Sequence, residues 1–376
     1  MQRRPAPRVP TAAKLAFLGD PRSYRDGTRQ VRIVETHFAW IFLTRRQAWK
    51  LKKPLRQQSL DYRSAGRRRR GCEAELALNR RLAPRVYQAV VALTLRPDGR
   101  LEFDGRGPVV DWLVRMRRLP AAQMLDQRLL RGRVRTAEIT RIARRLADFH
   151  AGAPRRPLTG RAYCRRLRQR IAGNQRSLAA RDLRLDAALI AAIARAQHAC
   201  VAAGGTLLAL RAKRIVEGHG DLRPEHVCVG PPVSVIDCLE FSAGLRALDP
   251  LEELAFLAVE CERMGAAAIG RQLLGRWCAA AGAAPPAALV HFYMSQRALT
   301  RAKISAWHLR EPRLANPLAW RDRTNGYLAQ AQRHAGLALA LLSRHRSVRG
   351  RPLQQQRRER PALAHAAERR TQQRRH

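Results

Sequence analysis

The separation of strand-forming from helix-forming segments most constrains what this chain can fold into. Runs rich in β-branched and aromatic residues are confined to the first third of the sequence, whereas apolar residues recur with helical spacing over most of the remainder. Strands followed by helices are typical of α+β proteins, not of folds in which the two alternate. We therefore expect an α+β protein with a small antiparallel sheet and a larger, mainly helical part.

The sheet is predicted over residues 29–120. VRIVETHFAWIFLT and AWKLKKPL flank a polar turn and predict a hairpin. VVALTLR and LEFDG flank the turn Pro97-Asp98-Gly99, and VVDWLVRMRRL at 109–119 is the last strand candidate. The leucine spacing of CEAELALNRRL predicts one helix among these strands, and Ala83-Pro84 ends it.

The helical part is predicted over residues 121–343, interrupted by the strand-like segment VCVGPPVSVID at 227–237. Its clearest helix is the amphipathic segment ITRIARRLADFH at 139–150. Residues 1–28 lack clear periodicity and are predicted to be a loose basic lead-in. Residues 344–376 are basic and of low complexity, which predicts a disordered tail.

The formal net charge of +44 is less informative than its size suggests. Only six of the 73 basic residues are lysines, and a preference for arginine along the whole chain favours a coding bias over selection for one partner. We expect non-specific binding of polyanions at low salt. The sequence contains no zinc-finger, RNA-recognition or helix-turn-helix pattern. The seven cysteines are widely spaced without a CxxC pair, which predicts reduced thiols and neither disulfides nor a zinc site.

The hydropathy of the chain predicts a cytoplasmic protein without a membrane partner. No apolar run approaches the roughly 20 residues that a membrane helix needs. The apolar segment from Leu15 to Leu18 is too short for a signal-peptide core. The sequence leaves the oligomeric state open.

Acidic residues are concentrated where the helical part is interrupted. Nine of the 29 acids lie in the 42 residues from Asp221 to Glu262, opposed only by Arg223 and Arg246. A solvated acidic face accounts for part of this cluster, on the helix predicted from Pro250 onward. Asp221 and Asp237 instead flank the short strand pair, which places two carboxylates on adjacent loops. Because Mg²⁺ binds through a few carboxylates plus substrate phosphates, this pattern predicts a magnesium and phosphate site.

Two segments around these carboxylates carry a motif: HGDLRPEH at 219–226 and VIDCLEF at 235–241. They resemble the HGDLHxxN catalytic loop and the I-D-x-x-E/D metal-binding segment of the aminoglycoside phosphotransferase-like superfamily. The resemblance is strongest to bacterial proteins grouped with that family, some of which carry a second, P-loop kinase domain. This sequence has no GxxxxGK[ST] segment, so we expect that second domain to be absent. The resemblance implies a two-lobed protein-kinase-like fold that uses ATP and Mg²⁺.

The resemblance also implies roles for residues of the two motifs. Asp221 is expected to accept or orient the proton of a substrate hydroxyl, and His219 to support the loop that carries it. Asp237 is expected to hold Mg²⁺ against the nucleotide phosphates. In this chemistry positioning and charge neutralisation carry the rate.

Half of the chain's lysines lie within Lys50-Leu51-Lys52-Lys53, although the chain otherwise uses arginine. Period-two alternation places Ala48, Lys50 and Lys52 on one face of a strand. An Ala-x-Lys step there resembles the kinase strand whose lysine holds the nucleotide phosphates and pairs with a helix glutamate. We predict Lys50 for this role, with Lys52 as the alternative.

The remaining nucleotide-site residues follow from the same resemblance. The glutamate partner is predicted to be Glu73 or Glu75, which face different directions because they are two residues apart on a helix. The segment WLVRMRRLP resembles the connector whose backbone contacts adenine, with Val114 to Met116 as the predicted contact.

Two departures from the family pattern concern catalysis. His226 stands where the superfamily has a metal-binding asparagine, although Mg²⁺ prefers oxygen ligands to imidazole. Either the second metal site is altered, or His226 meets the substrate phosphate, or activity is impaired. The segment ETHFAWIFLTRRQAW also lacks the glycines of a phosphate-binding loop.

Three function hypotheses follow. The first is an ATP-dependent kinase that phosphorylates a hydroxyl of a small molecule. The second is a kinase-like pseudoenzyme or nucleotide-binding module without turnover, and the third is a basic nucleic-acid-associated protein. A chain this basic repels polycationic aminoglycosides at long range, which favours an unidentified metabolite or sugar-like alcohol as substrate.

Overall fold

A six-stranded antiparallel sheet organises the first part of the chain. The computed structural model describes residues 9–57, 60–311 and 316–349. Within those ranges the strands are β1 Arg32–Glu35, β2 Ala39–Leu43, β3 Gln47–Lys52, β4 Arg56–Gln57, β5 Leu60–Asp61, β6 Tyr87–Leu95, β7 Leu101–Phe103, β8 Val109–Arg117, β9 Val216–Glu217, β10 Val227–Cys228, β11 Ser234–Val235 and β12 Ala247–Leu248. The strand order in the six-stranded sheet is β1-β2-β3-β8-β6-β7.

The rest of the described chain is mainly helical, and the predicted α+β class is confirmed. The α-helices in the described ranges are α1 Thr11–Gly19, α2 Ala65–Arg80, α3 Leu125–Leu130, α4 Thr136–Gly152, α5 Gly160–Leu178, α6 Ala187–Ala203, α7 Gly205–Ala212, α8 Ala243–Arg246, α9 Pro250–Arg263, α10 Ala267–Ala280, α11 Ala287–His308 and α12 Pro317–Arg349.

The chain divides into two compact units. The first comprises Met1–Thr159 with Arg211–Ala284, and the second comprises Gly160–Leu210 with Pro285–His376. The sheet and both predicted motifs therefore belong to the same unit, and position 120, the predicted end of the sheet domain, lies inside it.

Strand β3 lies at the centre of the sheet and separates two apolar clusters. Trp49 and Leu51 pack on one side with Phe42 and Leu113, whereas Ala48 packs on the other side with Cys72 of α2. The predicted period-two alternation is therefore confirmed, and it turns Lys50 and Lys52 toward the face that α2 covers.

The N-terminal segment differs from the predicted loose lead-in. Its described part, from residue 9 onward, contains α1 and packs on the sheet, because Leu18 and Tyr24 are buried in the same cluster as Trp49. Lys14 is buried as well, and its ammonium donates to the Asp111 carboxylate of β8 at 2.7 Å. The sequence prediction was wrong here because the partner of Lys14 is 97 residues away.

Three other elements differ from their predicted bounds. The first strand-like run contains two strands, β1 and β2, joined by a turn in which the Thr36 hydroxyl accepts a hydrogen bond from the Ala39 N–H. Helix α2 begins several residues earlier than predicted, at Ala65, with Ser64 as its N-cap. Helix α12 continues to Arg349, beyond the predicted start of the tail, and the rest of that predicted tail lies outside the described residues.

Helix α9 is not the solvated acidic face that its composition predicts. Twelve of its residues are buried, among them Glu252, Glu253 and Glu260. The short hairpin β10–β11 does form as predicted, with Val227 opposite Val235. All seven cysteines, which lie within the described ranges, are free thiols, and six of them are buried.

The second unit is held by apolar packing and by buried polar pairs among its helices. The hydroxyls of Tyr163 on α5 and Tyr293 on α11 lie 2.9 Å apart, and the Gln197 amide of α6 donates to the Ser295 hydroxyl at 2.7 Å. In the described ranges no single helix combines the length and apolar composition needed to cross a membrane. Helices α6 and α7 meet that composition only when taken as a pair bent by 77°.

The buried carboxylate of Asp111 provides a test of how the N-terminal segment is attached. It accepts hydrogen bonds from Lys14 and from two nitrogens of Arg68. We expect Asp111→Ala to lower the free energy of unfolding by about 3–5 kcal/mol, because it leaves two buried cations without their partner. Chemical denaturation measures this loss. Asp98→Ala is the matched control, since the pair between Asp98 and Arg96 is exposed. A loss of similar size in the control would contradict the stabilising role of Asp111.

Candidate active site

The backbone of the HGDLRPEH loop is anchored by a carboxylate of α9. Glu253 accepts hydrogen bonds from the backbone N–H groups of His219 at 3.0 Å and Gly220 at 2.6 Å. Its other neighbour is His150 of α4, whose Nε2–H donates to Glu253 because its Nδ1 already accepts from Trp277. Burial alone would raise the pKa of Glu253, but the His150 hydrogen bond and these backbone donors lower it to about 2.

His219 ties the same loop to the end of β11. Its Nε2–H donates to the Ile236 carbonyl at 2.8 Å, and its Nδ1 accepts from the Asp221 N–H at 3.3 Å. Burial lowers the pKa of this imidazole, which keeps the neutral tautomer that the two bonds require. Gly220 follows with φ +89°, and a Cβ there would lie 3.1 Å from Leu239 and in a strained conformation. The hydrogen bonds of His219 therefore hold the loop in shape.

Asp237 is presented on a strained turn directly after β11. Its φ is +64°, a left-handed conformation that aspartate tolerates better than most residues. Two elements of the sheet part fix the turn: the Asp237 N–H donates to the Tyr87 hydroxyl at 3.1 Å, and the Cys238 N–H donates to the Asn79 amide oxygen at 2.9 Å. The carboxylate of Asp237 is 44% exposed. The backbone thus points this group out of the turn and leaves it accessible.

Two lysines of β3 share the carboxylate of Glu75 on α2. Lys50 Nζ donates to Glu75 Oε1 at 2.8 Å and to Asp237 Oδ1 at 2.7 Å. Lys52 Nζ donates to Glu75 Oε2 at 2.6 Å and to Glu240 Oε1 at 2.5 Å. The two lysines therefore connect α2 to the segment that follows β11.

The charges in this network hold one another in the ionised state. Burial would lower the pKa of Lys50, but Asp237 and Glu75 hold it well above its usual range. Burial would raise the pKa of Asp237, but the Lys50 ammonium holds it well below its usual range. Lys52 and Glu240 show the same opposition, with the pKa of the lysine raised and that of the glutamate lowered.

The structure distinguishes between the two predicted glutamates. Glu75 is fully buried between the lysines, whereas Glu73 is 48% exposed and pairs with Arg69 one turn away. Glu73 therefore lies outside the lysine network, because the phase of α2 turns it to the surface.

The predicted connector contacts need correction. Val114 and Met116 both lie within β8, opposite Lys50 and Ala48 of β3 and opposite Val90 and Tyr87 of β6. A strand paired on both sides uses its backbone groups in the ladder. The segment after β8 leaves the sheet and reaches Met124, which forms a bridge with Cys228 of β10. The connector therefore begins at Arg118, beyond the predicted residues.

Asp221 lies on the HGDLRPEH loop beside three other polar side chains. Arg223 Nε donates to Asp221 Oδ2 at 3.0 Å, and Arg223 also pairs with Glu225. His226 Nδ1 donates to the Asp221 backbone carbonyl at 2.8 Å. Its Nε2 lies 3.5 Å from Asp237 Oδ2, so the imidazole stands between Asp221, the predicted catalytic residue, and Asp237, the predicted metal ligand.

The donor set suits a divalent cation that is held jointly with phosphate. Within the described residues, no three His, Cys, Asp or Glu side chains converge to form a metal cage. Mg²⁺ commonly binds through one or two carboxylates plus substrate phosphates, and the exposed, ionised carboxylate of Asp237 is such a ligand. Three cations (Lys50, Lys52 and Arg223) stand against five carboxylates here, a net charge of −2 in a chain of +44. The residues present therefore fit Mg²⁺ at Asp237.

Four of the residues that position this site were missed from the sequence. Glu253 was counted only as a member of the acidic stretch, and Arg223 only as one of the two cations opposing it. Asn79 and Tyr87 gave no signal, because their partners Cys238 and Asp237 lie 159 and 150 residues away.

Comparisons with known proteins identify the family of this chain. Residues 29–293 match the Phosphotransferase enzyme family. Uncharacterized proteins of Mycobacterium tuberculosis and Mycobacterium bovis are 31% identical over 329 residues, which cover 83% of this chain and 62% of those proteins. The chain thus spans less than two thirds of the length of these relatives.

Two solved structures share the fold. A choline/ethanolamine kinase family protein from Mesorhizobium loti matches with a TM-score of 0.52 at 16% identity, covering 88% of this chain and 99% of that one. Choline kinase from Cryptosporidium parvum also matches with a TM-score of 0.52, at 11% identity, covering 88% and 97%. At these identities the likeness shows the fold alone, which is the kinase-like α+β fold. The match over residues 29–293 shows more: the chain belongs to the Phosphotransferase enzyme family.

Glu75 and Glu73 form a matched pair for testing the lysine network. We expect Glu75→Ala to lower the free energy of unfolding by about 3–5 kcal/mol, because it leaves two buried ammonium groups without a shared counter-ion. Glu73→Ala removes only an exposed pair on one helix and should change it by about 0.5 kcal/mol or less. Denaturant titration of both variants measures the difference, and equal losses would contradict the assignment of Glu75.

Glu253 makes stability depend on pH in a defined direction. Its pKa is about 2 in the folded protein against an ordinary 4.5, so its contribution is complete above pH 4.5 and is lost as the pH falls toward 2. The wild type should lose up to about 3 kcal/mol more than Glu253→Gln across that window. Denaturation at several pH values measures this. Glu35→Gln, a substitution at an exposed carboxylate, should follow the wild type, and parallel curves for wild type and Glu253→Gln would refute the role of Glu253.

Proposed function

We propose that this protein is an ATP-dependent phosphotransferase that transfers the γ-phosphate to a hydroxyl of a small molecule. The observation that carries the proposal is the bridge made by Lys50, which contacts Glu75 on one side and Asp237 on the other. A lysine that pairs with a helix glutamate and faces a metal-binding aspartate is the arrangement that kinase-like enzymes use to hold nucleotide phosphates.

Each residue has a defined task in this proposal. Lys50, oriented by Glu75, binds the α- and β-phosphates and gives up its contact with Asp237 as the nucleotide enters. Asp237 would be the protein ligand that holds Mg²⁺, and the ion would supply positive charge to the nucleotide phosphates. Lys52 and Glu240 remain paired behind Lys50 and keep the strand in place.

Asp221 acts on the acceptor. Its carboxylate orients the substrate hydroxyl and takes its proton as the oxygen attacks phosphorus and the bond between the γ-phosphorus and the bridging oxygen of ADP breaks. His219 and Glu253 keep this carboxylate in place through the loop backbone. Positioning of the two reactants is the main contribution expected from the protein.

The adenine is proposed to meet the connector that begins at Arg118. This segment follows β8, and its Gln123 carbonyl accepts a hydrogen bond from the Val229 N–H next to β10. That contact supports a fixed connector beside the strand pair that carries the catalytic residues. Val114 and Met116 then support the pocket from within the sheet.

Substitution of Asp221 separates turnover from binding. We expect Asp221→Asn to lower ADP release with an accepted substrate by at least about 100-fold, because the group that orients the hydroxyl and takes its proton is lost. The same variant should keep the thermal stabilisation that Mg·ATP gives to the wild type. The assay is ADP release over a panel of hydroxylated metabolites, combined with thermal shift.

Three controls make this test specific. Lys50→Met should lose the Mg·ATP stabilisation, and the surface variant Asp98→Asn should behave as the wild type. Turnover that survives in Asp221→Asn would exclude the proposed role. Stabilisation by Mg·ATP without turnover on any substrate would favour the nucleotide-binding module, and no response to nucleotide would reject both.

A further inference from the structure

His226 occupies the position at which kinase-like enzymes hold a second metal ion. Protein kinases use an asparagine of the catalytic loop for that ion and an aspartate of the following segment for the other. In this chain that aspartate is present as Asp237, and the asparagine is replaced by His226. The role of this replacement in catalysis rests on the proposed phosphotransferase function.

The contacts of His226 determine which of its nitrogens is available. Its Nδ1 lies 2.8 Å from the Asp221 carbonyl, and since a carbonyl only accepts, Nδ1 must carry the proton. The lone pair is then on Nε2. That nitrogen accepts from Arg223 Nη2 at 3.1 Å, so the atom that would bind a metal already has a donor.

Arg223 is held from three sides. Its Nε and Nη2 both lie 3.0 Å from Asp221 Oδ2, its Nη1 pairs with Glu225, and its Nη2 donates to His226. Its side chain is largely buried, with 18% exposed. The guanidinium is therefore a fixed positive charge directly beside the catalytic carboxylate and one imidazole away from Asp237.

A guanidinium and a metal ion cannot share this place. Both would compete for the Nε2 lone pair of His226, and two cations a few ångströms apart in a partly buried site repel each other strongly. Arginine also has the chemistry for the task, because its planar fork of donors binds phosphate oxygens and it stays charged at every physiological pH.

We propose that Arg223, fixed by His226, takes the place of the second metal ion, and that the site binds one divalent cation for each nucleotide. Arg223 neutralises charge on the phosphoryl group during transfer, and Asp237 alone supplies the protein ligand to the cation. The two residues act as a pair: His226 provides an acceptor that asparagine in its metal-binding role could not give to the guanidinium.

Counting bound Mn²⁺ in the complex with the non-hydrolysable analogue β,γ-imido-ATP tests this proposal. Mn²⁺ substitutes for Mg²⁺ and its free concentration is read by electron paramagnetic resonance. We expect one tightly bound Mn²⁺ per protein–nucleotide complex in the wild type. The double variant Arg223→Ala/His226→Asn, which removes the guanidinium and restores the asparagine, should bind two.

The controls separate charge from position. The double variant Arg223→Lys/His226→Asn keeps a positive charge at position 223. We expect it to bind fewer Mn²⁺ ions per complex than the alanine double variant, with a number closer to one. Arg96→Ala removes an exposed arginine elsewhere and should bind one.

Two results would overturn the proposal without touching the proposed function. Two tightly bound ions in the wild type would show that Arg223 does not replace a metal, and this count needs no variant to fold. One ion in both the wild type and the alanine double variant would show that Arg223 is not what excludes the second. No nucleotide-dependent Mn²⁺ at all would reject both the one-metal site and the phosphotransferase, which makes that failure distinguishable.

Discussion

One buried carboxylate, that of Glu75, accepts hydrogen bonds from two lysines that are two residues apart on β3. Removing charges from water costs several kcal/mol for each ion, and the cost is recovered only when every charge finds a well-placed partner. Glu75 supplies that partner to both lysines, and Asp237 and Glu240 complete the set. The network therefore couples α2, the central strand of the sheet and the segment after β11, so the geometry of all three depends on it.

A second anchor acts from α9. Glu253 fixes the backbone of the HGDLRPEH loop. The two anchors together place Asp221 and Asp237, which belong to different loops, on either side of His226. In a chain with a net charge of +44, the surplus of carboxylates makes this cluster locally negative, which suits the divalent cation of the proposed function. The net charge of the chain therefore does not predict which ligand the site binds, whereas the local charge of this cluster does.

Much of the site could be predicted because its determinants are local. The alternation along β3 fixed which face Lys50 occupies, and the HGD and I-D-x-x-E segments carry their own loop geometry. The choice between Glu73 and Glu75 could not be made from sequence, because it depends on the rotational phase with which α2 packs on the sheet. The periodicity of the sequence also could not predict the pairing of Lys14 with Asp111, because the two residues are 97 positions apart. This pairing attaches the helix α1 to the sheet. The burial of acidic residues on α9 could not be predicted either, because it also depends on contacts between segments that are distant in the sequence.

In the proposed function, Lys50 exchanges its contact with Asp237 for a contact with nucleotide phosphate. The most direct measurement is a crystal structure of the protein with Mg²⁺ and β,γ-imido-ATP. We expect that Lys50 still contacts Glu75, that its 2.7 Å contact with Asp237 is replaced by one to a phosphate oxygen, and that Asp237 binds the metal. A nucleotide bound elsewhere, with the pair between Lys50 and Asp237 intact, would contradict it.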